Sequence, residues 1–562
     1  MEIYIIGCIA VIVFLFVQFY FAQRNRKNAF HERIIREWGK VPERGYTDAE
    51  LESITHYYKN TIDNSEDSKN RVDDITWNDL DMDEIFMQMN NTYSSAGEEY
   101  LYYMLRTPKT SAEELLKREE LITFFANNKK EREKLQMIYG EIGRKKGISV
   151  SDYINRLKDV SKESNRKHYI IILLLVCVAG IFCADTTIGV LAFIVLTFYS
   201  ITSYYKRKAV IEHYFVCFRI INNIISNIKK IKKCNISILE PYVKEMETAA
   251  RNLRGIEKGT GILPTDNLTG SLLDVILDYI RMMTHIDLIR FNNMLSIFIE
   301  KEEDVSIIIK NIGFIEAMIA VASFRENLDY YSIPEFADKS ENMICAENLY
   351  HPVLTKPVPN SISTSKSVLI TGSNASGKST FLKSVAINSI FAQTIHTVAA
   401  RKYRAGFFRI MSSMALKDNL LGNESYYIVE IKSLKRIIDS INENVPVLCF
   451  VDEVLRGTNT VERIAASSQI LKFLSGRKAL CFAATHDIEL THILEGMYDN
   501  YHFQEEVQEN DIIFNYRLYS GRAVSRNAIK LLKVMGYDDT IVEEANKNAA
   551  YFIEKGKWQT IV

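Results

Sequence analysis

At 562 residues the chain is long enough for several domains, and its 47% hydrophobic and 25% charged residues are the composition of a folded protein. The formal net charge of -1 excludes a global basic field as the basis of nucleic-acid binding, although not a local patch. The eight cysteines are scattered and never form C-x-x-C, which argues against a zinc site or a disulfide framework and fits a reducing compartment.

Ile3 to Ala22 is an apolar run of bilayer length, so residues 1–27 read as an N-terminal transmembrane anchor. Glu2 precedes it and Arg24, Arg26 and Lys27 follow, the reverse of the charge order in a secretory signal. The positive-inside rule then puts the N-terminus outside and Arg24 onward in the cytoplasm. A buried core helix is the alternative. Residues 28–75 read as a cytosolic linker, polar and acidic from Asp63 to Asp74. Residues 76–165 begin a helical core: Met82, Ile85, Phe86 and Met89 recur at helical spacing, Ser94 to Gly97 breaks the pattern, and Glu98 to Leu105 resumes it. Ser111 followed by Glu113 and Glu114 is a helix start, and that helix continues to about Asn127.

Tyr169 to Ala184 and Ile188 to Tyr205 are two more apolar runs, joined by Asp185-Thr186-Thr187. Arg166 and Lys167 flank the first and Lys206, Arg207 and Lys208 the second, on the same side, as a transmembrane hairpin over 166–208 requires. An apolar hairpin that dimerises or packs on the protein is the alternative. Residues 209–345 are the second part of the helical core or lever. Its lysine cluster, Lys229, Lys230, Lys232 and Lys233, reads as a solvated helix face. Arg254 to Asn267 reads as a loop, followed by a helical pair over Leu268 to Glu300 and Val305 to Leu328.

Over 346–562 short apolar strands alternate with helices, the pattern of an α/β domain with a mainly parallel sheet. Gly372-Ser373-Asn374-Ala375-Ser376-Gly377-Lys378-Ser379-Thr380 follows a β-branched strand, opens a helix, and fills the pattern G-x-x-x-x-G-K-[ST]. Glycines let backbone N–H groups turn inward around phosphate oxygens, and the helix N-terminus adds to that field. Lys378 is placed to reach the β- and γ-phosphates, and Ser379 to ligate Mg²⁺. Pro446 to Glu453 is an apolar run ending in two carboxylates, as expected of a strand buried in a parallel sheet. Asp452 is expected in the Mg²⁺ shell and Glu453 to polarise the attacking water. Leu480 to His486 is a further buried strand, and His486 at its end is placed to contact the γ-phosphate or the water. Ser425 precedes a helix and is either a plain N-cap or a contact to a γ-phosphate held by a second subunit.

These segments, in this order, resemble the MutS family of mismatch-repair ATPases, a branch of the ABC-type ATPases. His351-Pro352-Val353 precedes the glycine loop, and Thr371 to Thr380 is similar to T-G-P-N-x-x-G-K-S-T. Ser425 to Glu430 is similar to S-T-F-M-x-E, Asp452 to Thr460 to D-E-x-x-R-G-T-S-T, and Ala484 to Leu490 to A-T-H-x-x-E-L. Gly521 to Gly536 is similar to the segment that leads into the C-terminal dimerisation helices. Met82 to Arg106 and Gly313 to Phe336 resemble the family's helical core more weakly. The resemblance implies a multidomain chain: an α-helical core and lever with an inserted transmembrane hairpin, then an α/β ABC-type P-loop ATPase domain. It implies ATP and Mg²⁺ as cofactors, Lys378, Glu453 and His486 as catalytic groups, and a homodimer in which Ser425 acts in trans. DNA is the implied partner, recognised by shape.

The departures bear on that last point. The family's mismatch-reading domain has no counterpart in the roughly 50 residues between the first anchor and the core, a length short of a usual domain. Phe30-His31-Glu32 matches the F-x-E tripeptide with which mismatch readers wedge a base step, but beside an anchor it reads as coincidence. Ser376, Tyr426, Glu462 and Arg463 also depart from the family pattern. The expected location is the cell membrane, multi-pass through three transmembrane segments, with the ATPase domain cytoplasmic. The alternative function is a membrane-tethered, ATP-driven scaffold or clamp for a protein or lipid client. An ABC-type transporter ranks low, because three spans supply too little membrane domain for a translocation path.

Overall fold

The computed structural model describes residues 2–62, 69–147, 149–259, 272–338, 341–373, 376–414, 426–441, 445–456, 458–476, 478–508, 511–523, 529, 532–533 and 535–560. Its helices up to the sheet region are α1 (Glu2–Glu37), α2 (Asp48–Ile62), α3 (Asp74–Asp79), α4 (Met82–Met89), α5 (Ser95–Arg106), α6 (Ala112–Asn127), α7 (Lys129–Ile142), α8 (Val150–Lys158), α9 (Arg166–Ala184), α10 (Thr186–Lys233), α11 (Glu240–Asn252), α12 (Arg254–Gly259), α13 (Leu272–Thr284), α14 (Ile286–Glu300) and α15 (Glu302–Asn327). The chain is mostly helical, with a mixed α/β region after α15. It divides into two compact units, one of residues 1–64, 90–103 and 121–323 and one of 65–89, 104–120 and 324–562.

Among the described residues, the regular elements of the first unit are all helices. Ile211, Phe215, Phe218, Ile221, Ile225 and Ile228 recur along one face of α10 at helical spacing and are buried. Phe215 and Phe218 meet Phe291 of α14 edge to face, at centroid distances of 5.6 and 5.5 Å. Three helices among the described residues are long and apolar enough to cross a membrane: α9, α10 and α15. Burial separates them. Only 17% of the apolar stretch is buried in α9 and in α10, against 78% in α15, so α15 is a core helix. The run from Ile3 to Ala22 lies in α1, which continues without a break to Glu37. Phe14, Val17, Phe19, Tyr20 and Phe21 on it are exposed, while the side chains of residues 2–13, 15 and 16 lie outside the described set.

The helix expected over Leu268 to Glu300 is broken. His285 adopts a left-handed backbone (φ 54°) between α13 and α14. Its ring is buried against Ser200 and His168, and those polar contacts hold it in a conformation that sequence periodicity does not report. Arg254 to Gly259, expected as loop, forms the short helix α12, and residues 260–271 lie outside the described set. Phe30 packs edge to face on Tyr93 at 5.2 Å and lies over Gly140, where a Cβ would come within 2.1 Å of its ring. The F-x-E tripeptide is therefore part of this unit's own packing. Lys230 is ion-paired with Glu141, and Lys232 with Glu247 at 2.7 Å.

Glu316 of α15 is buried where α15 passes the start of α5. Its carboxylate accepts the Tyr93 N–H at 2.5 Å, the Ser94 N–H at 3.1 Å and the Ser94 hydroxyl. Gly97 makes room for it, since a Cβ there would meet Glu316 Oε2 at 2.0 Å. Replacing Glu316 by Ala strands three donors and is expected to lower unfolding free energy by about 3 kcal/mol, read by chemical denaturation. Burial outweighs those bonds and pushes the Glu316 carboxyl up from 4.5 to about 8. The folded chain therefore holds this proton to higher pH than the unfolded chain. Its stabilising contribution is complete below 4.5 and is lost as pH rises through about 8. Glu98 and Glu99, raised to about 7 and about 8, act in the same direction. Stability measured across that window should fall with pH, and less steeply in Glu316→Gln.

The second unit carries β1 (Glu335–Phe336), β2 (Ile344–Leu349), β3 (Asn360–Thr364), β4 (Ser367–Thr371), α16 (Lys378–Thr394), β5 (Lys402–Ala405), β6 (Arg409–Ser413), α17 (Tyr426–Ser440), β7 (Val447–Asp452), α18 (Thr460–Leu474), β8 (Ala479–Thr485), α19 (Ile488–Ile493), β9 (Tyr498–Gln508), β10 (Asp511–Ser520) and α20 (Asp539–Lys555). One sheet has the order β10-β9-β4-β8-β7-β6, parallel except for β10, and a smaller one has the order β1-β5-β2-β3. β4, β7 and β8 are buried and apolar except at their ends, where Ser367, Thr371, Asp452 and Thr485 stand, as expected of parallel strands covered on both faces. α3 belongs to this unit: Asp79 accepts the Ser412 hydroxyl at 2.6 Å and the Met414 N–H at 2.9 Å.

Candidate functional site

The site forms at the carboxyl ends of β4, β7 and β8, which pair side by side so that Thr371 opposes Thr485 and Asp452 opposes Ala484. β4 runs into the glycine loop, and α16 starts at Lys378 on the far side of it. Gly372 (φ 148°) and Gly377 (φ 108°) hold backbone that side chains resist. A Cβ on Gly372 would also sit 2.8 Å from the Phe503 carbonyl oxygen, so the loop is compressed against β9. Ser373 donates to Glu505 at 2.8 Å. Asn374, Ala375 and Ser425 lie outside the described residues, and α17 begins at Tyr426.

Lys378 is buried, and burial lowers the pKa of its ammonium. It donates to the carbonyls of Gly372 at 2.8 Å and Ser373 at 2.7 Å, and lies 3.4 Å from Nε2 of His486. Ser379 donates to Asp452 Oδ2 at 2.5 Å. Burial raises the Asp452 carboxyl, against the pull of that bond. The other oxygen, Oδ1, is buried and has no hydrogen-bond partner among the described residues. A hydroxyl beside a carboxylate with a spare buried oxygen is the donor set a hard divalent cation takes, so Ser379 and Asp452 fit Mg²⁺.

Glu453 follows β7 in a left-handed conformation (φ 55°), fixed by its N–H donating to the Ala484 carbonyl at 2.9 Å. Its carboxylate lies 2.9 Å from His486 Nε2 and 2.5 Å from Arg456 Nε. A carboxylate only accepts, so Nε2 of His486 carries the proton in that contact. Burial raises the Glu453 pKa, but the His486 bond and the Arg456 charge outweigh it and leave the carboxyl below its usual value. The structure thus brings Lys378, Ser379, Asp452, Glu453 and His486 together, with Gly372, Ser373, Ser376, Gly377 and Thr380 on the same loop and helix start. The Ser376 hydroxyl is buried without a hydrogen-bond partner among the described residues.

Several side chains around the site appear in the sequence motifs without an assigned role, and the structure supplies one. Glu430 of α17 accepts the Leu455 N–H and so holds the turn after Glu453, where Leu455 is also left-handed (φ 60°). Arg463 grips Asp487 with two bonds, at 3.0 and 2.6 Å, and ties α18 to the turn after His486. Beside Gly377 a pocket opens between His351, Val358, Phe381, Phe503 and Tyr516. Burial and the nearby Lys383 push the His351 imidazole down to about 4, so it is neutral at physiological pH. Flat aromatic and apolar walls next to a phosphate-type loop suit a planar base.

Sheet and site together define an α/β domain with its polar groups at the strand ends. Residues 368–552 match the family described as MutS domain V. The DNA mismatch repair protein MutS of Pseudothermotoga lettingae is 31% identical over 229 residues, 39% of this chain and 28% of that protein. MutS protein homolog 4 of Homo sapiens is 31% identical over 242 residues, 39% of this chain and 25% of the relative. MutS of Bacillus licheniformis is 30% identical over 251 residues, 42% and 28% of the two chains. Over this segment the chain is similar to MutS proteins. It spans about a quarter of the length of these curated relatives.

Proposed function

We propose that this chain is a membrane-anchored MutS-like ATPase. It binds and hydrolyses ATP as a homodimer and couples this to binding DNA by shape. The observation that carries the reading is the convergence of Lys378, Ser379, Asp452, Glu453 and His486 on one set of strand ends. Lys378 and the loop N–H groups take the phosphates, and the pocket of His351, Phe503 and Tyr516 takes the base. Ser379 and Asp452 hold Mg²⁺, which supplies charge neutralisation at the phosphates when bound. Glu453 orients and polarises a water, and His486 fixes the orientation of that carboxylate. The domain is of the ABC-type P-loop class in this reading, and Ser425 of each copy completes the site of the other. α1, α9 and α10 cross the bilayer, with the N-terminus outside and the ATPase domain cytoplasmic. The exposed apolar surface of α9 and of the first half of α10 supports this placement.

One observation favours a second reading, in which the client is a protein or a lipid. Lys230 and Lys232, the basic residues best placed by sequence to meet phosphates, are engaged with Glu141 and Glu247. Titrating the full chain in detergent against homoduplex, mismatched and branched DNA, with and without ATP, separates the two. The DNA reading expects binding that weakens linearly in log–log form as salt rises and that prefers branched DNA. Absence of salt-dependent binding to all three removes it and leaves the client reading.

A further inference from the structure

Helix α13 carries an apolar face that no described residue of its own unit covers. Ile276, Leu277, Tyr279 and Ile280 fall on one side of the helix over little more than one turn, and their exposures are 52%, 39%, 59% and 47%. The two charges in this part of the helix neutralise each other, Arg281 donating to Asp278 at 2.8 Å. The helix packs on both α9 and α10, and its last turn is tied down. Ser200 of α10 donates to the carbonyl of Met282 at 2.9 Å or of Met283 at 3.1 Å, and also lies 3.1 Å from His285 Nε2. His285 Nδ1 in turn lies 2.8 Å from Nδ1 of His168, at the start of α9.

These ties fix the depth of α13. His168 is the neighbour of Lys167, and Ser200 lies about two turns before the cluster Lys206 to Lys208. Both stand at the foot of the hairpin, where its flanking charges mark the boundary between headgroups and acyl chains. The exposed apolar surface of α13 is continuous in kind with that of Leu173, Leu191, Val195 and Phe198 on the hairpin. The left-handed residue His285 then turns the chain into α14, whose Phe291 packs on Phe215 and Phe218.

We propose that α13 is an interfacial membrane helix, its face of Ile276, Leu277, Tyr279 and Ile280 set into the bilayer that the hairpin crosses. The proposal rests on reading α9 and α10 as membrane-spanning. An apolar stripe and a tyrosine, with Arg281 paired to Asp278, suit the headgroup–acyl boundary, whereas a stripe this exposed would be a liability in water. The partner is the lipid surface itself, and the hairpin is held to it by a second element.

The test uses the full chain reconstituted into phosphatidylethanolamine–phosphatidylglycerol vesicles and a membrane-impermeant maleimide, with modification read at each cysteine by peptide mass spectrometry. Ile276→Cys and Ile280→Cys are each combined with Ile493→Cys, an exposed position on α19. The native Cys177, exposed on α9, reports on the hairpin. The α13 cysteines and Cys177 are expected to react about tenfold or more slowly than Ile493→Cys, at every protein-to-lipid ratio. If the α13 cysteines react as fast as Ile493→Cys while Cys177 stays protected, the inference is wrong and the hairpin reading stands. If Cys177 also reacts fast, the membrane reading itself falls, and this one with it. Protection of α13 that disappears as the protein is diluted in lipid means that a second copy covers this face, which overturns the proposal.

Discussion

Lys378→Ala is expected to lower ATP hydrolysis about 1,000-fold and nucleotide affinity about 100-fold, because it removes a buried ammonium that, in the proposed reading, meets the phosphates. The geometry explains the size. The ammonium is already stripped of most water and held by two carbonyls of its own loop, at 2.8 and 2.7 Å. Phosphate oxygens offer it a charged partner in place of two neutral ones, in a setting where screening is weak. Alanine removes both the ligand contact and the two ties that fold the loop over the helix start. Phosphate release and equilibrium binding of labelled ATP measure the two effects, and a thermal melt checks that the domain remains folded. Hydrolysis that persists in this variant would refute the assignment of the loop.

Glu453→Gln separates binding from chemistry. The amide keeps the shape of the side chain and can still accept from Arg456, but it carries no negative charge to polarise a water. Hydrolysis is expected to fall about 100- to 1,000-fold while ATP affinity is retained. The proposed dimer should then accumulate in its closed form with ATP, read as a shift to twice the mass in light scattering. A variant that hydrolyses ATP normally would show that another group activates the water, and one that fails to bind would show that Glu453 holds the loop together.

The strands and the loop were legible because each has one dominant local cause. β4, β7 and β8 have apolar runs with polar residues only at their ends, and the glycine pattern dictates its own backbone. Asp452, Glu453 and His486 could be placed from the rule that active groups stand at the carboxyl ends of parallel strands. The rest depends on contacts between distant residues. Glu430 and Arg456 fall on motif positions, but what they do follows only from the left-handed turn after Glu453, which the order of residues does not announce. The pocket by His351 draws on residues 351 to 516, which the chain never brings close in sequence. Hydropathy cannot tell α15 from α9, since both are apolar enough to cross a bilayer. Only the buried Glu316 network and the covered faces of α15 separate them. The break at His285 escaped periodicity because the residues on either side are equally apolar.

The 48 residues of α10 have a mechanical consequence. At 1.5 Å per residue the helix is about 72 Å long, and it continues through the boundary between its apolar half and its core half without proline or a hinge. Its backbone bonds make it one stiff shaft, with no joint where the bilayer would end. A rotation imposed on Phe215 and Phe218 by the helices packed there is therefore carried along one continuous helix toward Leu191 and Val195. Work done in one half of this unit has no slack in which to be lost before it reaches the other.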